Sequence, residues 1–162
     1  MTDAARPEQR KVTARIYTPS GWILATFHVP TGQGFTDFLN ASKDFFALTE
    51  VQLPRQTKPL AFLALQRTAA ILLMPEDREI GEPEDGSVTH QVSCLLEGGV
   101  LMGALRLPES MRVSDHLMDR SSRFLVLRDC TVGLDAAGGN ASVEAASVAI
   151  VNSGRVVGVS EM

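Results

Sequence analysis

Hydrophobic residues in this chain recur mainly at every second position, and they do so in two stretches that match each other. Between positions 22 and 29, Ile23, Ala25, Phe27 and Val29 alternate with Trp22, Leu24, Thr26 and His28. Between positions 100 and 107, Leu101, Gly103, Leu105 and Leu107 alternate with Val100, Met102, Ala104 and Arg106. A period of two puts alternate side chains on opposite faces of a strand, so each stretch predicts a strand with one fully apolar face, and His28 falls on the other, exposed face. A turn precedes each strand, Pro19-Ser20-Gly21 and Glu97-Gly98-Gly99, and before it lies a shorter apolar run, Thr13 to Tyr17 and Gln91 to Leu96. Both copies therefore predict a hairpin.

The correspondence extends well past the hairpin. A shift of 78 positions aligns Gly21 with Gly99, Leu24 with Met102, Phe27 with Leu105, Pro30 with Pro108, Asp37 with Asp115 and Leu39 with Leu117. After one inserted residue the match continues at a shift of 79, with Phe45 on Phe124, Leu48 on Leu127, Glu50 on Asp129, and Ile71-Leu72 on Ile150-Val151. Pro30 and Pro108 lack a backbone N–H and stop their strands. Thr36-Asp37 and Ser114-Asp115 then predict a short helix in each copy, with Thr36 or Ser114 as N-cap and the Asp in the first turn, where it complements the helix dipole. Two further strands are expected per copy, Phe45 to Leu53 and Ala61 to Met74 in the first, Phe124 to Val132 and Ser142 to Val151 in the second. Asn152-Ser153-Gly154 can turn the second copy into one more strand, Arg155 to Val159.

Two copies of this length define small units rather than a solenoid. The organisation read from the chain is a flexible tail at 1–10, a first β unit at 11–74, an acidic linker at 75–87 and a second β unit at 88–162. Each unit is mainly β, a hairpin with one short helix and two or three more strands. Burying its apolar face calls for curling into a small barrel or joining the other unit, and the two units are expected to be related by internal pseudo-symmetry.

Composition adds that this is globular material: 162 residues, 44% hydrophobic and 21% charged. The net charge of −4 is local, because Pro75 to Gly86 holds six acids against Arg78 and contributes −5, leaving the rest at about +1. Phosphate-binding surfaces need clustered Lys and Arg, so a nucleic-acid footprint is not expected. The polar start MTDAARPEQRK lacks a secretory apolar stretch, and Leu60 to Met74 is too short to span a bilayer, so a cytoplasmic location without membrane contact is expected. Cys94 and Cys130 form no C-x-x-C pair and read as half-buried strand residues. His90 and Cys94 lie about 13 Å apart on a strand, too far to share a metal.

No nucleophile elbow, Walker loop or zinc-protease motif is present, Gly32-Gln33-Gly34 has no following Lys for phosphate, and Gly138-Gly139-Asn140 reads as a turn. No catalytic residue, cofactor or metal is therefore assigned. The recurring Asp37 and Asp115 could act as a carboxylate pair if symmetry brought them together.

The pattern G-x-[IL]-[LM]-[AG]-x-[FL]-x-[VL]-P, followed by [TS]-D-[FH]-L-[NM] and F-x2-L-x-[ED], twice in tandem, resembles a bacterial group of small β domains carrying an R-h-S-D-h-L-N signature. Arg112, Ser114, Asp115 and Leu117 keep that signature in the second copy, and Asn40 keeps its last residue in the first. The outline is also similar to the Sm small barrel, on Gly21, Leu24, Ala25, Asp37, Leu39, Asn40, Leu48 and Glu50. That resemblance implies two tandem Sm-like small β-barrel units, and RNA contacts through an Asp and Asn in one loop and an Arg-Gly in a later one. Here Arg67-Thr68 stands at the Arg-Gly, and the second copy has Met118 and Ala146 at the Asn and Arg positions. The residues thus support, in order, a non-catalytic protein-interaction or scaffold module, an Sm-like RNA-associated protein, and an enzyme using Asp37 and Asp115. The expected partner is another copy of the chain, joined through strand edges. Thr36, Asp37, Leu39, Asn40, Arg112, Ser114, Asp115 and Leu117 are the motif residues expected to serve structure or interaction.

Overall fold

The computed structural model describes residues 8–42, 44–76, 80, 86–119, 122–135 and 141–162. Most of the expected tail, most of the acidic linker and the Gly138-Gly139-Asn140 turn lie outside the described residues. The first half of the chain forms β1 (Gln9–Thr18), β2 (Gly21–Pro30), α1 (Phe35–Ala41), β3 (Phe45–Gln52), β4 (Leu60–Gln66), a 3-10 turn at Arg67–Ala69 and β5 (Leu72–Pro75). The second forms β6 (Ser87–Leu96), β7 (Gly99–Pro108), α2 (Val113–Met118), β8 (Phe124–Asp135), β9 (Ala141–Asn152), a 3-10 turn at Ser153–Arg155 and β10 (Val156–Glu161). The ten strands make one antiparallel sheet in the order β10-β6-β7-β8-β9-β5-β1-β2-β3-β4.

Both hairpins follow from the alternating pattern. β1 pairs with β2 from Gln9↔Pro30 to Thr18↔Gly21, and β6 pairs with β7 from Ser87↔Pro108 to Leu96↔Gly99, each strand ending at its proline. Gly98 closes the second turn with φ +86°, a conformation open mainly to glycine. A side chain at the next residue, Gly99, would collide with the Gly133 carbonyl on β8. The predicted apolar faces are buried: Ile23, Ala25, Phe27 and Val29 on β2, Leu101, Leu105 and Leu107 on β7. Removing such side chains from water supplies about 1.5–3 kcal/mol for each large one. The start of the first unit differs from the expectation in detail, since β1 starts at Gln9, inside the segment assigned to the tail.

Each half also carries one β-bulge at a matching place. The register slips between Leu24 and Thr26 opposite β3, and between Met102 and Ala104 opposite β8. The extra residue lies at Glu50 in one half and Asp129 in the other, with φ of 52° and 51°. The sequence pairs these two acids, and the structure gives both the same left-handed backbone.

Four expectations need correction. Ala61 to Met74 is not one strand: β4 ends at Gln66, a 3-10 turn at Arg67–Ala69 interrupts it, and β5 begins at Leu72. Ile71-Leu72 and Ile150-Val151 are not equivalent residues but neighbours, because Leu72 pairs with Val151 and Leu73 with Ile150. Thr36 and Ser114 are not N-caps. Gly34 and Arg112 take those places with extended backbone, because the helices start two residues early and so bury Phe35 and Val113. Finally, the halves are not two closed barrels. Closure within the first half would bring β4 to β5, but β5 has β1 on one side and β9 on the other, so both of its backbone edges are used.

Candidate functional site

The junction between β5 and β9 joins the halves into one body. Leu72 and Leu73 on β5 meet Val151 and Ile150 on β9, and the Asn152 N–H donates to the Ile71 carbonyl at 3.0 Å. These apolar residues are completely buried. Each half also completes the other's core. Phe124 and Ile150 belong to the cluster built on Phe27, Phe35, Phe46 and Leu48, whereas Ile71 and Leu72 belong to the cluster built on Leu101, Leu105, Leu127 and Val132. Arg15 on β1 reaches Glu144 on β9 at 2.6 Å and lies over the Trp22 ring at 4.6 Å.

The sheet has two free ends, β4 and β10, and their residues can be matched with those at the junction. Phe45 pairs with Gln66 as Phe124 pairs with Asn152, so Leu65 on β4 holds the place of Val151 on β9, and Leu63 that of Ala149. At the junction these places are sealed; on β4, Leu63 and Leu65 are only half-buried and Phe62 is 60% exposed. β10 lies beside β6 as β5 lies beside β1. There too the covering is missing, with Val156 half-buried and Val157 67% exposed, against the fully buried Leu72 and Leu73.

The motif residues divide between packing and surface. Leu39 is buried in the first core and Leu117 packs on the second. Thr36 and Asp37 sit in the first turn of α1, and Ser114 and Asp115 in that of α2, where the Arg112 N–H donates to Asp115 Oδ2 at 3.4 Å. Among the described residues no hydrogen bond, ion pair or shared cavity joins Asp37 to Asp115. Asn40 instead bridges the halves: its Oδ1 accepts from the Phe124 N–H at 2.9 Å, and its Nδ2 donates to the Phe124 carbonyl at 3.4 Å. Arg112 and Ser114 line a cavity of about 550 Å³ together with His90 and Glu161, which are bonded to each other at 2.7 Å. His28 is half-buried rather than exposed and bonds Thr49 Oγ1 at 2.7 Å.

Cys94 and Cys130 are fully rather than half buried, and burial pushes both thiols up to about 11. They are thiols at neutral pH and poor nucleophiles.

One cluster is only partly visible in the sequence, where the Sm resemblance singles out Arg67 and nothing points to its two companions. Arg67 in the first 3-10 turn, Arg123 just before β8 and Arg155 in the second 3-10 turn line a single cavity of about 520 Å³ with Asp44, Phe45, Gln66 and Asn152. Asn152, itself buried, holds its frame by donating to the Ala70 carbonyl at 3.0 Å and accepting from the Gly154 N–H at 3.0 Å. The Arg67 guanidinium donates to the Asn40 carbonyl at 3.3 Å and stacks 5.3 Å from the Phe124 ring centre. Its Nε–H is buried without a partner among the described residues. Burial and, next, the Arg123 charge both make Arg67 easier to deprotonate than a free arginine. No spacing in the sequence announces this cluster, because the three residues meet only when β5 and β9 pair.

Among the described residues no three His, Cys, Asp or Glu side chains are grouped to hold a metal, and no helix is long and apolar enough to cross a membrane. Comparison with known protein families, with curated proteins and with solved structures gives no match to this chain.

Proposed function

We propose that this chain is a non-catalytic scaffold that associates with copies of itself, β4 of one copy pairing with β10 of the next as β9 pairs with β5 inside the chain. The observation that carries it is the contrast between matched positions: Val151 and Leu72 are sealed in the internal junction, while Leu65 on β4 and Val156 on β10 wait at the ends of the same sheet. In this reading the two halves are Sm-like small β units related by pseudo-symmetry, supported by the strand orders β5-β1-β2-β3-β4 and β10-β6-β7-β8-β9. Uncovered strand edges are templates for another strand, and neither end carries a proline or a run of charge that would blunt it. Because the two ends differ, addition is head to tail and gives a ring where the rotation per copy closes, or a filament where it does not. The RNA-associated reading has less support, since Asn40 spends both polar atoms of its side chain on Phe124.

Blocking each end separately tests the proposal. Phe62→Lys on β4 and Val157→Lys on β10 should each shift the protein toward monomer in sedimentation or light scattering. An equimolar mixture should recover a dimer and nothing larger, because each variant retains one working end and the two are complementary. A wild-type chain that stays monomeric at high concentration would contradict the proposal, as would two blocked variants that fail to combine.

A further inference from the structure

We infer that the cavity lined by Arg67, Arg123 and Arg155 binds the phosphate group of a small organic phosphate monoester. Three arginines from three separate segments line it, with Asp44 as the carboxylate among the lining residues. Arg155 is engaged with Glu97 at 3.0 Å, whereas neither Arg67 nor Arg123 has an ion pair among the described residues. Like charges held together disfavour one another and are relieved by a bound anion. Arginine's fixed fork of donors suits the oxygens of a phosphate better than a single point charge does.

The Arg67 guanidinium is also held in place, by the Asn40 carbonyl and the Phe124 ring, and Asn152 fixes the turn that carries it by donating to the Ala70 carbonyl. About 520 Å³ is far more than one phosphate needs and falls in the range of small-molecule pockets. Phe45, 54% exposed, and Gln66 line the remaining space with an aromatic ring and an amide suited to an organic moiety. A nucleic-acid polymer fits less well, because its affinity comes from many phosphate contacts, whereas three arginines line this cavity on a chain of net charge −4.

The test is titration of the full-length protein with inorganic phosphate, phenyl phosphate, adenosine monophosphate and single-stranded RNA at matched ionic strength, followed by calorimetry and thermal melting. Saturable binding of the two monoesters, tighter than that of inorganic phosphate, is expected. Among the described residues the Arg123 side chain makes no ion pair or hydrogen bond, and its backbone carbonyl, which accepts from the Ser153 N–H, is unaffected by substitution, so Arg123→Gln should keep the melting temperature while weakening the monoesters about tenfold, the scale of one charge-assisted hydrogen bond. Arg123→Glu should abolish binding, and Arg123→Lys should restore part of it. Absence of saturable binding, or equal binding by wild type and Arg123→Glu, overturns the inference. Equal affinity for inorganic phosphate and the monoesters overturns the organic part of the ligand, and tight, steeply salt-dependent RNA binding overturns the small-molecule assignment.

Discussion

Glu50 and Asp129 show how much one backbone angle explains. Both occupy a left-handed conformation at a bulge, and the short polar side chain of Asp129 tolerates that region where a β-branched one does not. Asp129→Val should therefore destabilise the protein by about 1–2 kcal/mol in denaturant titration, and Asp129→Gly should not. Asn40 is a larger lever, because its loss leaves the Phe124 backbone groups unpaired between two halves of the molecule. Asn40→Ala is expected to cost about 1–3 kcal/mol, with Asn40→Asp costing less because it keeps the acceptor. The cysteines set a pH limit. Their folded-state values, about 11, lie above the ordinary 9.0, so the unfolded chain releases protons first as the solution turns alkaline. Stability should be flat with respect to these groups below pH 9.0 and fall between pH 9.0 and about 11. A Cys94→Ala/Cys130→Ala variant should lose that alkaline slope even though its overall stability is lower.

The elements differ in how firmly they are held. α1 buries Phe35 and Leu39 and touches β8, whereas α2 buries Val113 alone. Amides of α2 should accordingly exchange with deuterium faster than those of α1, and equal protection would contradict the difference in docking. The hairpins and the first helical turns were legible in the sequence because alternation, turn residues and proline stops are local signals. The break at Arg67–Ala69 was not legible. Leu60 to Met74 reads as one apolar run despite Gln66, Arg67 and Thr68 within it, and much of what fixes the break is distant: the Ile71 N–H donates to the Tyr17 carbonyl, and Asn152 takes up the Ala70 carbonyl. The same distant pairing explains the misleading match of Ile71-Leu72 with Ile150-Val151. Both are apolar because they face one another across the junction, and similarity of composition followed from contact rather than from descent of position. The arginine cavity was legible only at Arg67, through the Sm resemblance, as Arg123 and Arg155 look like solvated surface charges until the halves meet.

For the whole molecule, the exchange of core residues between halves has a thermodynamic consequence. Phe124 and Ile150 fill the first core, while Ile71 and Leu72 fill the second, so neither core survives loss of the other half. Heating should give one cooperative transition with equal calorimetric and van't Hoff enthalpies, and two resolved transitions would show the halves to be independent. The β5–β9 junction also governs the time course of folding. Hairpin contacts are close along the chain, but Leu72 must find Val151 across nearly half of the sequence, and contacts of that kind form late. Until it closes, a chain shows four adhesive strand edges instead of two, and a β5 that meets the β9 of a neighbour makes a joint indistinguishable from the native one. Slow closure at high concentration therefore leads to exchanged, interlocked chains, and the dilution at which refolding is carried out should decide how many subunits the product contains.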